Sequence, residues 1–342
     1  MSDGTAKGAV YVQTNERENG VVAFSRAGDG ALTPLGSYST GGAGTDAPHL
    51  TSQGSVVLTG DGRHLLVANT GSDDVSVFAV GGDGSLELVA RTPAGAAPMS
   101  VAEHGGLVYV LSTSKPAVVG FRLGESGLAP IAGGEYPLSS AKADPAQVGF
   151  TLDGTALIVT ERGTDSISSF PVGADGRLGE LETVASSGPT PYGFACTKAG
   201  TLVVTEAFRA EKGAAAASSY SVDGATVTPV TRSVGNGRSE ICWAVASADG
   251  RHVFTTNFAD GAVSCYSVSS NGDLLLDDAA AGVAVDGEPG LRDEDLSGDG
   301  RFLYAIDADG GRVLGWRVDE GALTPVGSWN GLPKTIAGLA AI

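Results

Sequence analysis

Short apolar runs alternate with glycine-bearing polar turns along almost the whole chain. From Gly60 to Val89 the sequence reads GDGRHLLVANTGSDDVSVFAVGGDGSLELV, which is a turn, an apolar run, a polar turn, an alternating run, another turn and a third apolar run. Runs this short, bounded by Gly, Asp and Ser, predict β-strands, because a helix needs a longer stretch of 3.6-residue periodicity. The unit recurs. Asp61-Gly62-Arg63-His64 leads into LLVAN, Asp153-Gly154-Thr155 into ALIVTE, Asp249-Gly250-Arg251-His252 into VFTTN, and Asp299-Gly300-Arg301 into FLYAID. Weaker copies lead from Gly106-Leu107 into VYVLS and from Gly200-Thr201 into LVVTE, and GAVYVQTN stands near the chain start.

Each copy continues into a strand with an aromatic residue: Phe24, Phe78, Phe121, Phe170, Tyr220, Tyr266 and Trp316, spaced 54, 43, 49, 50, 46 and 50 residues apart. A glycine-containing turn and a leucine or valine follow, as in GGDGSL and GADGRL. A further apolar run precedes each turn: SVVLT, MSVAE, VGFTL, GFACT, WAVAS, DEDLS and the terminal AGLAAI. Four short strands in a repeat of this length predict a β-propeller blade. Seven copies predict an all-β, seven-bladed β-propeller of four-stranded antiparallel blades, one domain over residues 1–342. The copy at Gly8 lacks an innermost strand, and AGLAAI is expected to supply it, because an open blade would leave an unpaired strand edge. AEKGAAAASS (210–219) reads as a loop insertion between strands.

Composition changes this picture in two places. Length alone suggests two domains, but the repeat replaces them with one. The formal net charge of −18, from acids dispersed along the chain, argues against nucleic acid and anionic membranes as partners. Cys196, Cys242 and Cys265 show no C-x-x-C or zinc-like spacing. The N-terminal stretch lacks a basic segment followed by an apolar one, and no apolar run reaches the roughly 18 residues of a membrane span. The expectation is a soluble cytoplasmic monomer acting on a small molecule.

Antiparallel alternation brings the ends of the second strands and the starts of the innermost strands to one mouth of the ring. The strand ends carry Asn15, Asn69, Ser112, Glu161, Glu206, Asn257 and Asp307; the starts carry Gln53, Ser100, Gln147, Tyr192, Glu240 and Arg292 to Glu294. His64, His104 and His252 fall on the opposite face, and His49 on the mouth side. Glu161 and Glu206, each in a TE pair, occupy one position in neighbouring blades, where nearby carboxylates would raise each other's pKa and suit acid–base work. The plainer alternative is that each caps its turn. Arg238 and Glu240 precede ICWAVA, and Arg292 precedes the next inner strand, so Arg292 either pairs with Glu240 between blades or anchors a substrate anion. Cys242, beside Trp243 and without a histidine in sequence, reads as a packed thiol. No G-x-S-x-G, Walker or HExxH motif occurs.

These motifs resemble a known family. The D-G-R-x-L-x-V-x-N repeat, the F-x-V-x-x-D-G-x-L unit and seven copies are similar to the lactonase-type β-propellers, a group that includes bacterial 6-phosphogluconolactonase and the fungal carboxymuconate lactonizing enzyme. SQGS (52–55), DPAQVGF (144–150), TE (160–161), PYGF (191–194), TEAF (205–208), CW (242–243) and GLP…GLAA resemble one bacterial branch. Where many members read H-P-H-Q, this chain has Asp144 and Ala146 in place of the histidines. The resemblance implies lactone hydrolysis or formation at the channel mouth without a redox cofactor.

The expected function is hydrolysis of a small lactone or cyclic carboxylate by acid–base chemistry. A lactonizing cyclase or isomerase using the same residues, and a non-catalytic binding propeller, are the alternatives. Glu206, Glu161 and Glu240 are the catalytic candidates. Arg292, Arg238, Gln147, Gln53, Tyr192, Asn69, Asn257, His49 and Trp243 are the binding candidates. No cofactor is expected; the alternative is a divalent ion such as calcium, held by carboxylate and Asn oxygens on the channel axis.

Overall fold

The computed structural model describes residues 8–48, 50–284 and 287–342. Its strands form seven four-stranded antiparallel sheets arranged as a ring. From blade 1 to blade 7 the second strands are Gly8–Gln13, His64–Asn69, Leu107–Ser112, Ala156–Glu161, Thr201–Glu206, His252–Asn257 and Phe302–Asp307. The innermost strands of blades 2 to 7 are Val56–Leu58, Pro98–His104, Pro145–Phe150, Pro191–Cys196, Ile241–Ala246 and Leu291–Leu296. Blade 1 takes its innermost strand from the chain end: Ala337–Ala341 pairs antiparallel with Gly8–Gln13. The ring therefore closes between the termini, as the sequence predicts. Among the described residues no helix is long and apolar enough to cross a membrane.

The repeat has a local cause. In the turn after an innermost strand the Asp61 carboxylate accepts from the Thr59 hydroxyl and the Arg63 amide, while the Thr59 hydroxyl accepts from the His64 amide. Thr151-Asp153, Ser247-Asp249 and Ser297-Asp299 repeat the arrangement. The glycine after each aspartate has φ of 67° to 73°, a left-handed conformation that a side chain would strain. The seven repeat aromatics are all buried, and each falls in a different one of seven apolar clusters between adjacent blades. One motif thus builds the turn, and one aromatic fills the space between blades.

These turns carry a pH dependence. Their hydroxyl and then their backbone donors hold the Asp61, Asp153 and Asp249 carboxyls below the ordinary aspartate range. A carboxyl depressed by folding contributes stability above its unfolded pKa, and loses it as pH falls toward the folded value. Thermal melts should therefore decline below about pH 4. Asp153→Asn, which still accepts the same bonds, should flatten that decline, and an unchanged slope would contradict the assignment.

One expectation needs correction. The 210–219 stretch is not wholly loop, because Ala216–Asp223 is the third strand of blade 5. Before it, Phe208, Arg209 and Ala210 form a single turn with φ of 47°, 52° and 60°. Three consecutive left-handed residues without glycine cost about 1–2 kcal/mol each, so packing around them must hold the turn.

Candidate functional site

The mouth is not an open funnel. The segment 50–55 crosses it and touches the innermost strands of four other blades. The Ser52 hydroxyl donates to the Met99 carbonyl of blade 3, the Gln53 amide N–H donates to Ala146 O of blade 4, and the Val101 amide donates to Gly54 O. The Gln53 side chain reaches blade 6: its Nε2 donates to Ala244 O at 2.8 Å and its Oε1 accepts from Ala244 N at 3.1 Å. In blade 5, a Cβ at Gly193 would stand 2.5 Å from Gln53 Oε1 and 2.6 Å from Cys242 O, so glycine is required there. Gln53 and Gly54 of this strap line a cavity in the channel, and a separate pocket lies between blades 5, 6 and 7.

The two paired glutamates are committed elsewhere. Glu161 is fully buried and accepts from Ser139 N, the Ser139 hydroxyl, the Thr164 hydroxyl and the Ser168 hydroxyl. Glu206, also fully buried, accepts from Gly188 N and the hydroxyls of Ser218 and Ser233. Burial raises the Glu206 pKa, and its own hydrogen bonds oppose the rise; Glu161 is not among the causes. The expected mutual coupling is therefore replaced by the plainer reading, in which each carboxylate ties a blade connection to its own sheet.

Other candidates bond within the fold. Asn69 donates to Asp74 and Ser76 and accepts from Asn19, while Asn257 donates to Ser264 and accepts from Asn236. Gln147 forms a reciprocal pair with the Phe194 backbone and lines the channel cavity. Arg238 donates through Nε to Ala279 O of its own blade. Trp243, 1% exposed, stands edge-on to Tyr192 with centroids 4.9 Å apart, supporting that ring from behind. His49 lies outside the described residues.

What remains of the candidate set converges on one pocket of about 450 Å³, where Tyr192 of blade 5, Glu240 of blade 6 and Arg292 of blade 7 share the wall with Cys242. Glu240 leads into its strand with φ of 54°. Ala97, Asp144 and Thr190 do the same before the inner strands of blades 3, 4 and 5, so this backbone belongs to the fold. Among the described residues the Glu240 carboxylate takes no hydrogen bond that would commit it to a turn, unlike Glu161 and Glu206. The Arg292 guanidinium lies 4.2 Å over the Phe258 ring. Burial lowers its pKa, while Asp309 and Asp293 oppose that shift.

Tyr192, 7% exposed, is held from both sides: Arg162 lies 4.8 Å over its ring and donates from Nη1 to its Oη at 3.0 Å. That bond occupies the phenol oxygen as acceptor and leaves its proton for a ligand. Arg162 is itself held by Asp144 at 2.7 Å. Burial, with the nearby Glu240 and Asp293 charges, pushes the Cys242 thiol far above its ordinary range, so it is no thiolate nucleophile.

Sequence reasoning missed three parts of this wall. Phe258 follows Asn257 without any pattern to mark it. Thr190 and Arg209 come from blade connections, and Arg209 rides on the left-handed turn, tied to Asp165 and to the Thr190 hydroxyl. Among the described residues, no group of three or more His, Cys, Asp or Glu is placed to hold a metal ion.

A closed ring of seven four-stranded blades with a pocket between blades 5, 6 and 7 defines a seven-bladed β-propeller. The family profile "Lactonase, 7-bladed beta-propeller" matches residues 5–129, 134–212 and 204–335, and the chain belongs to this family. No curated protein sequence matches it. Among solved structures, a protein of Bacteroides uniformis provisionally named 6-phosphogluconolactonase aligns over 98% of this chain and all of its own, with 18% identity and a TM-score of 0.77. The periplasmic gluconolactonase PpgL of Pseudomonas aeruginosa aligns over 98% of this chain and 99% of its own, with 17% identity and a TM-score of 0.74. At these identities the likeness is one of fold.

Proposed function

We propose that the protein is a lactonase-type hydrolase that opens a small lactone or cyclic carboxylate in the mouth pocket. The observation that carries the reading is the meeting of Glu240, Tyr192 and Arg292 from three blades around one concave site. Arg292, kept planar against Phe258, would hold a substrate carboxylate through its fork. Glu240 would take a proton from a water as its oxygen bonds to the lactone carbonyl carbon. The Tyr192 hydroxyl would donate to the oxyanion that develops. The tetrahedral adduct then collapses with cleavage of the ring C–O bond, and the proton held by Glu240 passes to the departing alkoxide. The products are a carboxylic acid, which loses its proton to solvent at neutral pH, and a hydroxyl on one chain.

A panel of γ- and δ-lactones with and without a carboxylate tests the reading. Ring opening should be saturable and faster for the carboxylate-bearing members. Arg292→Met should raise KM for those members by roughly tenfold or more, the worth of one charge-assisted contact, and leave neutral lactones nearly unchanged. Absence of turnover across the panel, or an equal effect of Arg292→Met on both groups, would count against it.

A further inference from the structure

The pocket between blades 5, 6 and 7 is anchored by charge but walled by hydrocarbon. Beside Glu240 and Arg292 stand Ala207, Ala210, Phe258 and Cys242, with the ring of Tyr192. The two alanines come from the connection between the second and third strands of blade 5. That connection runs from 207 to 215, whereas its counterparts run only from 162 to 165 in blade 4 and from 258 to 261 in blade 6. The extra length is what brings apolar wall to this pocket.

The backbone of the wall is committed to the fold. Phe258 N donates to Glu240 O at 2.9 Å, Ala207 N to Thr190 O at 3.0 Å and Ala210 N to Ala207 O at 2.9 Å. The Phe258 carbonyl accepts from Gly261 and Gly290, and the Cys242 thiol donates to the Glu240 carbonyl at 3.2 Å. The remaining polar side chains of the lining are Thr190 and Arg209. The Thr190 hydroxyl accepts from Arg209 N at 3.1 Å, and the Arg209 guanidinium, its side chain 66% exposed, is bonded to Asp165. A ligand hydroxyl facing Ala207, Ala210 or Phe258 therefore gives up its water and meets no partner. A methylene in the same place gains about fourfold in affinity on burial.

We propose that the pocket selects a singly carboxylated ligand with an alkyl or aryl body and rejects polyhydroxylated ones of the same charge. The substrate of the reaction above is then a lipophilic lactone acid and not a sugar lactone. The word lactone rests on the hydrolase reading; the selection between bodies does not. Arg292 fixes the carboxylate end, and the body lies along the alanines and Phe258. Ala210 is the specificity-determining position, because it lines the pocket from a left-handed turn, with φ of 60°, that no other blade connection extends this far.

The test pairs turnover with binding. Turnover compares kcat/KM for 2-pentyl-5-oxotetrahydrofuran-3-carboxylate and for D-glucaro-1,4-lactone, which has the same ring and one carboxylate but three hydroxyls. The alkyl lactone should be favoured by about a hundredfold or more, as roughly tenfold per unmet hydroxyl implies. Calorimetric titration of the full chain with octanoate and gluconate reads the same selection without chemistry. Octanoate should bind one saturable site at least about tenfold tighter than gluconate, and Arg292→Met should weaken it about tenfold. Asparagine tolerates a left-handed backbone, so Ala210→Asn keeps the turn and places an amide on the wall. It should cut the octanoate-to-gluconate ratio by about fivefold or more.

Equal binding of octanoate and gluconate, octanoate binding unmoved by Arg292→Met, or a ratio unmoved by Ala210→Asn would each overturn the proposal. Turnover that favours glucarolactone would overturn this inference and leave the hydrolase reading intact. Selective octanoate binding without turnover of any lactone would overturn the hydrolase reading and support the selection argued here.

Discussion

Deletion of residues 336–342 should abolish the cooperative thermal melt, whereas deletion of residues 1–6 should leave it within a few degrees of the parent. The terminal strand buries Ile336, Ala337, Leu339, Ala340 and Ala341, all at 8% exposure or less. The apolar burial of these side chains alone amounts to roughly 5 kcal/mol or more. Its loss also exposes the edge of Gly8–Gln13, whose ladder with Ala337–Ala341 runs from Val10 to Gln13, and removes the amide that Asp295 accepts from. Arg26 loses the Ile342 carbonyl as well. Against a total stability of about 5–15 kcal/mol, these losses take most of what holds the ring. Coincident melts of the two truncations, followed by circular dichroism, would show that closure is not made this way.

Removal of the Glu161 or Glu206 side chain should lower stability sharply and affect chemistry only through the fold. Glu161→Ala would leave the Ser139 amide and three hydroxyls without their acceptor, and Glu206→Ala would strip one amide and two hydroxyls. Each buried donor left unmet costs about 1–3 kcal/mol where water cannot reach it. Partial hydration of the cut site brings the expected loss to about 3–5 kcal/mol per variant, read as a lowered denaturant midpoint with unchanged slope. A neutral effect of both variants on the midpoint would mean that these carboxylates are not structural.

The scaffold was legible because its causes are local. A hydroxyl two residues before an Asp-Gly pair is enough to build the recurring turn, and one aromatic per repeat fills each space between blades. The strand that closes the ring was legible because the blade count left one strand over. The site was legible only in part. Glu161 and Glu206 look catalytic in sequence because both end a second strand, and what occupies them is the connection folded over each, through Ser139 in one case and Gly188 in the other, with Ser233 of the outer strand of blade 5 also bonded to Glu206. Gln53 bonds to Ala244, 191 residues away, with its side-chain amide imitating a strand, and no periodicity reports such a pairing. Arg209 was hidden because the turn that carries it is left-handed without glycine, so nothing in the sequence marked it.

The central claim is that chemistry resides with Glu240 in the mouth pocket and not with the buried pair of neighbouring blades. The measurement that bears on it most directly is kcat/KM for the best-turned-over lactone in Glu240→Gln, beside Glu206→Gln and Glu161→Gln, each at a temperature where the variant is folded. Glu240→Gln should lower kcat by about 10²–10⁴, the usual worth of a positioned base, with KM little changed, while the other two stay within a fewfold of wild type. Full activity in Glu240→Gln, or a loss confined to folded Glu206→Gln or Glu161→Gln, would contradict the account.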